Sequence, residues 1–452
     1  MNYKGKSVLV LGMARSGEAV ARLLHHLGAI VTVNDGSDSE ILRQQAALLE
    51  GLGVKVVLGG HPLRLLDGCD LIIKNPGIKY DLHILVDAQT RHIPIVTEVE
   101  VAYAITNAPI IGITGSNGKT TTTMLVDDML QQAQIAHTVG GNIGTPLSDV
   151  VTNLNDKTWV VTELSSFQLK GTHTFRPRIG ALINVYPTHL DYHHTMEDYI
   201  ASKKRLFVNQ EQSDIAILNV DHPIIEALQS DIKATIWKVS TQHAVCPGVF
   251  VADGNLVARL TEDTDLVPIL AVREIFLRGD HNVENALVAS AIALCAGASV
   301  DAIRATLRTF KGVEHRLEFV REVNGITYFN NSKATNPQAT LRALKSFHEP
   351  IVCILGGLER NDDLQVLLKP LQNHVKAVVT LGESRKRMAD LATQAGISSV
   401  TMVDTIEDAV LQATKEAKKG DVVLLAPAAA SWDMFASFEE RGRIFKEAVH
   451  RL

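Results

Sequence analysis

Cysteine is scarce in this sequence, which has four among 452 residues. Cys69, Cys246, Cys295 and Cys353 show no paired spacing, which argues against a disulfide framework or a zinc site and favours a reducing compartment. Lys and Arg number 44 against 50 Asp and Glu, so the net charge is -6. Because this balance provides no basic face for nucleic acid, a polyanionic ligand must be held by a local pocket.

Long apolar runs are also missing. The most apolar helical stretch, residues 286–298, is far shorter than the ~20 residues that cross a bilayer, and Glu284 and Asp301 lie beside it. We expect it to be a buried core helix. Residues 7–11 resemble a strand, and no signal-peptide pattern precedes them. These features predict a cytoplasmic protein without a membrane partner.

Alternating strand and helix patterns fill the first ninety or so residues. Predicted strands cover residues 7–11, 30–34, 54–58 and 71–73, and a helix covers 18–27. Such alternation is typical of a parallel sheet with crossover helices. Ligands of such sheets bind at the carboxyl ends of the strands, here beside Gly12 and Asp35.

Two further α/β patterns follow. The first has strands at 110–113, 159–164 and 181–185 and helices at 121–133 and 282–296; the second has strands at 326–329, 351–355, 377–381, 400–403 and 422–425. We therefore predict an α/β protein of three domains, at residues 1–93, 94–311 and 312–452. The predicted folds are a Rossmann-like parallel sheet, a P-loop ATPase domain and a second Rossmann-like domain.

A glycine loop, G-S-N-G-K-T-T at Gly115–Thr121, joins a predicted strand to a predicted helix. A helix N-terminus and its turn present several N–H groups to one phosphate. Lys119 would reach the outer phosphates of ATP, and the Thr120 hydroxyl would bind Mg²⁺. Ile113 occupies the first glycine position of the strict motif, and the alternative is a glycine turn with a surface lysine.

Three side chains after the loop are candidates for metal binding. Glu163 ends an apolar strand, where a carboxylate suits Mg²⁺, although an exposed glutamate is an equal alternative. His189 is either a metal ligand or a loop histidine, and His193 and His194 are predicted to lie at the surface. Lys203 interrupts an apolar helix face; a buried amine loses its proton and can take up CO₂, but the pattern alone favours a lysine whose head reaches water.

Other polar runs also follow predicted strands. The loop at residues 12–17 lacks the middle glycine of a dinucleotide motif, so it favours a nucleotide other than NAD. Residues 330–336 include Lys333 and Thr335, which suit an anion unless the run is an ordinary turn. Small residues at 426–431 would let a ligand approach the backbone closely.

These motifs together resemble the Mur ligase family, the ATP-dependent amide-forming enzymes of peptidoglycan precursor synthesis. The similar segments, in family order, are Gly115–Thr121, Glu163 to Gln168, Thr188 to Asp191, Lys203, His281 to Asn285, His315-Arg316, Ser332 to Asn336 and Ser431 to Gly442. Because they span nearly the whole chain, their order is far more specific than any single motif.

The resemblance implies an ATP-dependent ligase that adds D-glutamate to UDP-N-acetylmuramoyl-L-alanine through an acyl phosphate. The cofactors would be ATP, two Mg²⁺ ions and a carbamylated Lys203, and the partners only small molecules around a monomer. It implies an N-terminal domain for the UDP-sugar, a central ATPase and a C-terminal domain that binds the amino acid and closes over ATP.

The resemblance also implies roles for individual residues. Lys119, Glu163, His189 and Lys203 would be catalytic, and Thr120, Glu163, His189 and carbamylated Lys203 would hold metal. ATP would contact Gly115, Asn117, Gly118, Lys119, Thr120, Thr121, Asn285, Arg316 and Asn331. The UDP-sugar would contact Arg15, Ser16, Asp35, Asn75, Asn142 and His189. D-Glutamate would contact Lys333, Thr335, Arg360, Ser431 and Phe438.

Two positions depart from the family pattern. Asn331 stands where the family usually has Asp at the ATP ribose, and Arg360 keeps the charge of a lysine found in some members. An amide can still hydrogen-bond a hydroxyl, so we expect ATP binding to be retained, if weakened. The alternatives are a folylpolyglutamate synthetase-like enzyme, another Mur-type ligase that adds a different amino acid, or a nucleotide-binding regulatory protein.

Overall fold

The computed structural model describes residues 2–152 and 154–452 of the chain. Helices and strands alternate along the sequence, and the strands form three sheets. The predicted α/β class, with an N-terminal, a central and a C-terminal sheet domain, is confirmed. The predicted boundaries after residues 93 and 311 stay predictions.

The N-terminal sheet is parallel throughout, in the order β3-β2-β1-β4-β5. Its strands are β1 (Ser7–Leu11), β2 (Ile30–Asp35), β3 (Lys55–Leu58), β4 (Leu71–Lys74) and β5 (Ile95–Val96). The helices are α1 (Arg15–His26), α2 (Glu40–Gly51), α3 (His83–Thr90) and α4 (Glu98–Ile105), with a 3-10 turn at Leu63–Leu66. The predicted helix at residues 18–27 thus begins three residues earlier, inside the loop after β1.

Within the described residues, the central sheet has nine strands in the order β14-β13-β12-β11-β10-β9-β6-β8-β7, and its antiparallel pairs are β12–β13 and β13–β14. The strands are β6 (Ile110–Thr114), β7 (His137–Gly141), β8 (Trp159–Glu163), β9 (Ile179–Leu182), β10 (Ile215–Asn219), β11 (Thr235–Ser240), β12 (Gly248–Ala252), β13 (Asn255–Arg259) and β14 (Val267–Ala271). The helices are α5 (Lys119–Gln132), α6 (Leu147–Val150), α7 (Ser166–Lys170), α8 (Leu190–His193), α9 (Met196–Val208), α10 (Pro223–Ala227), α11 (Asp280–Cys295) and α12 (Val300–Thr309). Short 3-10 turns lie at Leu228–Asp231 and Val272–Glu274.

The C-terminal sheet has the order β15-β16-β20-β17-β18-β19 and is parallel except for the β15–β16 pair. Its strands are β15 (Glu318–Val323), β16 (Ile326–Asn330), β17 (Ile351–Gly356), β18 (Val375–Leu381), β19 (Ser399–Met402) and β20 (Val422–Leu425). The helices are α13 (Pro337–Leu344), α14 (Leu368–His374), α15 (Arg385–Gln394), α16 (Ile406–Glu416) and α17 (Phe438–His450), with a 3-10 turn at Gln365–Leu367.

The chain forms two compact units. One contains the residues up to Glu274 together with Val283–Arg308, and the other contains Ile275–Asn282 and Thr309–Leu452. Each sheet is covered by apolar helix faces, and the middle of α11 is fully buried, as predicted for a core helix. None of the helices in residues 2–152 and 154–452 has the length and apolarity needed to cross a membrane.

The predicted strand at residues 181–185 is shifted, because β9 ends at Leu182. Ile183 still bonds to the end of β6, since its amide donates to Thr114 O at 3.0 Å. The next residue, Asn184, bonds to the glycine loop instead, where its side chain accepts from the Asn117 amide at 2.9 Å. The tertiary contact therefore overrides the strand pattern.

A buried carboxyl group lies where α4 meets α6. Glu98 is 2% exposed and accepts a hydrogen bond from the Ser148 amide in the first turn of α6. Burial raises the pKa of Glu98 from about 4.5 to about 7. Since an unfolded glutamate keeps its ordinary pKa, the stability of the chain must depend on pH through this group.

The stability of Glu98→Gln relative to the unchanged chain is expected to be higher at pH 8 than at pH 5. The folded chain binds this proton more tightly than the unfolded chain, so its stability falls as pH rises from about 4.5 to about 7, by about 3 kcal/mol in total. Thermal melting at both pH values measures the difference, with exposed Glu40→Gln as control. A Tm difference that is the same at both pH values would contradict this assignment.

Candidate functional site

The glycine loop is held from one side by Asn184. The Ser116 amide donates to Asn184 O at 3.0 Å, and the Asn117 amide donates to the side-chain oxygen of the same residue at 2.9 Å. The Ser116 hydroxyl lies 2.8 Å from Tyr199 Oη on α9. The loop is thus fixed by residues from outside its own segment, and α5 begins within it, at Lys119.

Gly118 is the N-cap residue of α5. Its φ is +80°, which side chains other than glycine rarely adopt, and a Cβ there would lie 2.1 Å from Asn285 Oδ1. Asn285 Oδ1 also accepts from the Thr122 hydroxyl at 3.3 Å. The predicted ATP residue Asn285 therefore packs directly against the loop.

Two lysines converge on one carbonyl of this loop. Lys119 Nζ donates to Gly115 O at 2.9 Å and to Ser116 O at 3.0 Å, and Lys203 Nζ donates to Gly115 O at 2.9 Å. Lys203 is 1% exposed, so the interpretation that its head reaches water is wrong. Burial, with the Lys119 charge, holds the pKa of Lys203 well below its usual range.

Glu163 uses both carboxylate oxygens. The Thr120 hydroxyl donates to Oε2 at 2.7 Å, and Asn142 Nδ2 donates to Oε1 at 2.7 Å. Glu163 is 2% exposed at the end of β8, next to β6 in the sheet. The alternative of an exposed glutamate is wrong, and the structure brings together the two predicted Mg²⁺ ligands.

His189 lies in the left-handed region with φ +58°, directly before α8. Its ring packs edge-on against Phe167, with 5.0 Å between centroids. Partial burial and the charges of Lys119 and Lys203 lower the pKa of His189. A neutral imidazole is the form that binds a metal.

His193 is not at the surface as predicted, whereas His194 is exposed. His193 is 1% exposed; Nε2 lies 2.9 Å from Ser166 Oγ, and Nδ1 lies 2.8 Å from Asp198 Oδ2. Lys170 donates to the same Asp198 carboxylate. The histidine is buried because polar groups of α7 and α9 satisfy both of its nitrogens.

A cavity of about 390 Å³ opens beside these residues. Four of the predicted UDP-sugar residues line it: Arg15, Ser16, Asn75 and Asn142. Asp35 and His189 are not among the lining residues; Asp35 instead accepts from the Met13 amide at 2.9 Å, and His189 contacts Phe167, which does line the cavity. Asn142 links the cavity to the Glu163 carboxylate.

The side chains at this site differ in how well they suit Mg²⁺, which prefers oxygen ligands. A hydroxyl and a carboxylate, from Thr120 and Glu163, fit an ion that binds few carboxylates along with phosphates and waters. His189 with an unmodified Lys203 does not fit a second Mg²⁺, because both offer nitrogen. In the part of the chain that the structure describes, no three His, Cys, Asp or Glu side chains group as a metal site, so other oxygens are needed.

The second unit contains the remaining predicted residues. Asn331 is 8% exposed and accepts from the Leu317 amide at 3.2 Å, on the turn that also carries Arg316. Lys333 Nζ lies 3.7 Å from the centroid of the Phe438 ring, so this predicted pair is adjacent. The Thr335 amide donates to Lys333 O at 2.8 Å.

Arg360 and Ser431 lie on two connected loops. The Leu358 amide donates to Ala430 O at 2.9 Å, and the Arg360 guanidinium carbon is 4.7 Å from the centroid of the exposed Trp432 ring. Ser431 is 2% exposed. The loops after β17 and β20 therefore form one surface.

Arg441 lies within the family-like segment Ser431 to Gly442, but the sequence assigned it no role. This side chain is 1% exposed and donates to Ser332 Oγ at 3.0 Å, Ser332 O at 2.8 Å and Ala429 O at 3.1 Å. It thereby ties the loop before α13 to the loop after β20. The sequence does contain a signal for its burial, because Arg441 shares one side of α17 with the apolar residues Phe445 and Val449.

Comparison with known proteins gives matches over the whole chain. Residues 6–97 match the Mur ligase MurD-like N-terminal domain, 113–293 the Mur ligase middle domain and 315–429 the Mur ligase glutamate ligase domain. Proteins named UDP-N-acetylmuramoylalanine–D-glutamate ligase from Bacillus mycoides (strain KBAB4) and Geobacillus sp. (strain WCH70) are 46% and 45% identical. Each alignment covers 100% of this chain and 98% of the relative.

Solved structures share the fold at low sequence identity. UDP-N-acetylmuramate-alanine ligase MurC from Thermotoga maritima has a TM-score of 0.57 at 18% identity, over 99% of both chains. MurF ligase from Thermotoga maritima in complex with ADP has a TM-score of 0.55 at 16% identity, over 99% of this chain and 96% of that one. With full-length relatives above 40% identity and three matching domains in order, the chain belongs to the Mur ligase family.

Proposed function

We propose that this ligase joins D-glutamate to UDP-N-acetylmuramoyl-L-alanine and converts ATP to ADP and phosphate, a step of peptidoglycan precursor synthesis. Full-length relatives at 45–46% identity bear the name of that activity. Their names supply the two substrates, and the geometry around the glycine loop supplies a place for the chemistry.

The observation that carries the proposal is the position of Asn142. Its side chain lines the cavity and donates to Glu163, whose other oxygen accepts from Thr120 at the start of α5. One hydrogen-bonded chain thus joins a cavity wide enough for part of a nucleotide-sugar to a phosphate-binding loop. A carboxylate held in the cavity would therefore lie near the ATP phosphates.

The first step makes the acceptor carboxylate reactive. A carboxylate oxygen attacks the γ-phosphorus of ATP; a new O–P bond forms, the bond to the bridging oxygen breaks, and ADP leaves. The carboxylate, the γ-phosphate and the departing ADP are all anionic, so positive charge must be concentrated around them. Lys119 would supply this positive charge. Its ammonium group, which donates to Gly115 O and Ser116 O, would donate to phosphate oxygens instead when ATP is bound.

The second step forms the amide. The neutral amine of D-glutamate attacks the acyl carbon, and a tetrahedral intermediate forms. The C–O bond to phosphate then breaks, and the nitrogen loses a proton. We place Lys333, Thr335, Arg360, Ser431 and Phe438 around D-glutamate, whose two carboxylates match the cationic side chains Lys333 and Arg360.

Thr120 and Glu163 would hold one Mg²⁺, and His189 with a carbamylated Lys203 would hold a second. When bound, these ions neutralise phosphate charge and align the phosphoryl group. Burial holds the pKa of Lys203 well below its usual range and so favours the uncharged amine, which would add to CO₂ and lose one proton to give the carbamate anion. That anion replaces a nitrogen donor by two oxygens, which meets the requirement of Mg²⁺.

The remaining assignments are also proposals. Gly115, Asn117, Gly118, Thr121, Asn285, Arg316 and Asn331 would contact ATP, and Arg15, Ser16, Asp35, Asn75, Asn142 and His189 would contact the UDP-sugar. The monomeric state, the cytoplasmic location and the domain boundaries after residues 93 and 311 stay predictions.

The purified chain is expected to release phosphate only when ATP, Mg²⁺, UDP-N-acetylmuramoyl-L-alanine and D-glutamate are all present. A coupled phosphate assay with mass spectrometry of the product measures this. L-Glutamate, L-alanine and L-lysine serve as matched amino-acid controls. Turnover with another amino acid would instead favour a different Mur-type ligase, and no turnover with any acceptor would favour a regulatory nucleotide-binding protein.

A further inference from the structure

Lys74 is a buried lysine that the proposed reaction does not use. It is the last residue of β4 and is 0% exposed. Its Nζ donates to Asn75 O at 3.1 Å, Pro76 O at 3.0 Å and Ile78 O at 2.6 Å. One side chain therefore gathers three carbonyls of the loop that follows its own strand.

The fourth partner comes from the central sheet domain. Lys74 Nζ donates to Tyr192 Oη at 2.9 Å, and Tyr192 Oη lies 3.2 Å from Ile78 O. Nζ is also 4.7 Å from the centroid of the Tyr80 ring. Carbonyl oxygens can only accept, so the three carbonyls together need the protonated amine, and Tyr192 Oη must share one of the three hydrogens of Nζ.

The loop that Lys74 holds is a wall of the cavity. Asn75, Pro76 and Gly77 all line it, and Asn75 Nδ2 donates to Ser16 Oγ, also in the lining, at 3.3 Å. A shift of the loop backbone would move the Asn75 side chain. Lys74 thus acts on the cavity through the carbonyls behind it.

Tyr192 connects the same ammonium group to the predicted metal ligand His189. Tyr192 lies in α8, which follows His189 directly, and its ring packs against Phe167 with 4.3 Å between centroids. Phe167 in turn contacts the His189 ring. The left-handed backbone at His189 and His194 makes this segment dependent on contacts from outside.

We propose that Lys74 is a positioning residue that fixes the acceptor loop, Asn75–Ile78, and the His189 segment in one geometry. The inference rests on the proposed function, because it assumes that the cavity holds the UDP-sugar acceptor. Lys74 touches no reacting atom; it sets where the acceptor lies relative to the γ-phosphate site.

The surroundings of Lys74 determine what its replacement should change. None of its four hydrogen-bond partners is a carboxylate, and burial, with the Lys170 charge, lowers the pKa of Lys74 to about 7. Lys74→Met fills a similar volume without the buried charge, but it leaves three loop carbonyls without their donor. A lower Tm is therefore expected, and the positioning role is distinguished from it by a loss of affinity that is confined to the acceptor.

The test measures binding and kinetics of the full chain in three variants. Lys74→Met is expected to bind UDP-N-acetylmuramoyl-L-alanine about tenfold more weakly by calorimetry without ATP, and to raise KM for it by the same factor. The KM for D-glutamate stays unchanged. Tyr192→Phe keeps the three contacts of Lys74 with the loop carbonyls but removes the hydroxyl that joins Lys74 and Ile78 O to α8. We therefore expect kcat to fall about tenfold, with a smaller change in acceptor affinity than in Lys74→Met. Lys79→Met, an exposed lysine of the following turn, is the control and should match the unchanged chain.

Wild-type acceptor affinity in Lys74→Met would overturn the proposal, as would equal losses in Tm and in affinity for all substrates in both variants. If the unchanged chain itself binds no UDP-sugar, the proposed function fails, and this inference fails with it. If the unchanged chain binds and turns over while Lys74→Met behaves identically, only the role of Lys74 is wrong.

Discussion

Lys203→Ala is expected to lose amide formation by at least about a hundredfold, the scale of removing one charge-stabilising group from an active site. The buried amine lies against Gly115 O at the glycine loop, and its carbamate would be an anionic metal ligand there. The variant lacks that anion, so the phosphoryl group is no longer aligned. The KM for D-glutamate, which binds elsewhere, should not change.

Chemical rescue separates the carbamate from a lysine that merely packs. The short side chain of the Lys203→Ala variant leaves room for formate or acetate, whose carboxylate can take the place of the carbamate oxygens. Added short carboxylates are therefore expected to restore part of kcat, and Lys203→Arg, which keeps charge but cannot react with CO₂, should stay inactive. The control is Lys204→Ala, which removes only a surface pair with Asp231.

Two results would reject the carbamate. One is near-normal activity in Lys203→Ala that does not respond to short carboxylates. The other is unchanged activity after CO₂ and bicarbonate are removed from the unchanged enzyme for long enough to decarbamylate it. Thermal melting of each variant verifies that a lost fold is not the cause.

Glu163→Gln is expected to lower kcat about a hundredfold and to raise the Mg²⁺ concentration for half-maximal activity. The carboxylate accepts from two donors, Thr120 and Asn142, and an amide has only one accepting oxygen. The substitution therefore removes the ligand charge and also places an NH₂ group against one donor. Activity measured across a Mg²⁺ titration checks this.

The Glu163→Gln substitution should change the affinity for the acceptor less than it changes the Mg²⁺ dependence of the activity. Calorimetry with UDP-N-acetylmuramoyl-L-alanine is expected to show affinity within a few-fold of normal in Glu163→Gln, because only the Asn142 contact changes. Glu197→Gln, at an exposed position of α9, is the matched control and should have a normal Mg²⁺ curve. A normal Mg²⁺ curve in Glu163→Gln itself would mean that this carboxylate is not a metal ligand.

The sequence was most informative where chemistry depends on a local pattern. Gly115–Thr121 joins a strand to a helix, as predicted, because the phosphate loop is built from consecutive residues, although α5 begins at Lys119, two residues before the predicted start. The three sheets also follow from alternation of short apolar runs with amphipathic ones. Glu163 could be placed beside the loop because parallel strands end at the same edge of a sheet.

Burial of polar side chains was the main failure. His193 and Lys203 lie in segments where the pattern permits a surface position, and the groups that bury them are far away in sequence. Ser166 satisfies His193 from 27 residues away, and Gly115 O satisfies Lys203 from 88 residues away. The pattern of apolar residues within one helix cannot predict hydrogen-bond partners that are so distant in sequence.

The shift of β9 has the same origin. Ile183 and Val185 are apolar and fit a strand, but Asn184 between them bonds to Asn117 of the glycine loop, 67 residues earlier in the chain. Lys74 likewise ends an apolar strand and gives no sign in sequence that Tyr192 lies beside it. These contacts are properties of how the sheets meet the loops, which single-segment patterns do not encode.

Gly118 is a position at which this enzyme can accept few substitutions during evolution. Every amino-acid replacement of a glycine introduces at least a Cβ, and at this position that atom meets Asn285 in a backbone conformation that already excludes most residues. Gly144 also has a positive φ, of +65°, but nothing lies within 4 Å of its missing Cβ, so an asparagine is sterically allowed there. Selection can thus vary the rim of the cavity while the phosphate loop stays fixed, and an inhibitor that contacts the loop leaves the enzyme few routes to resistance.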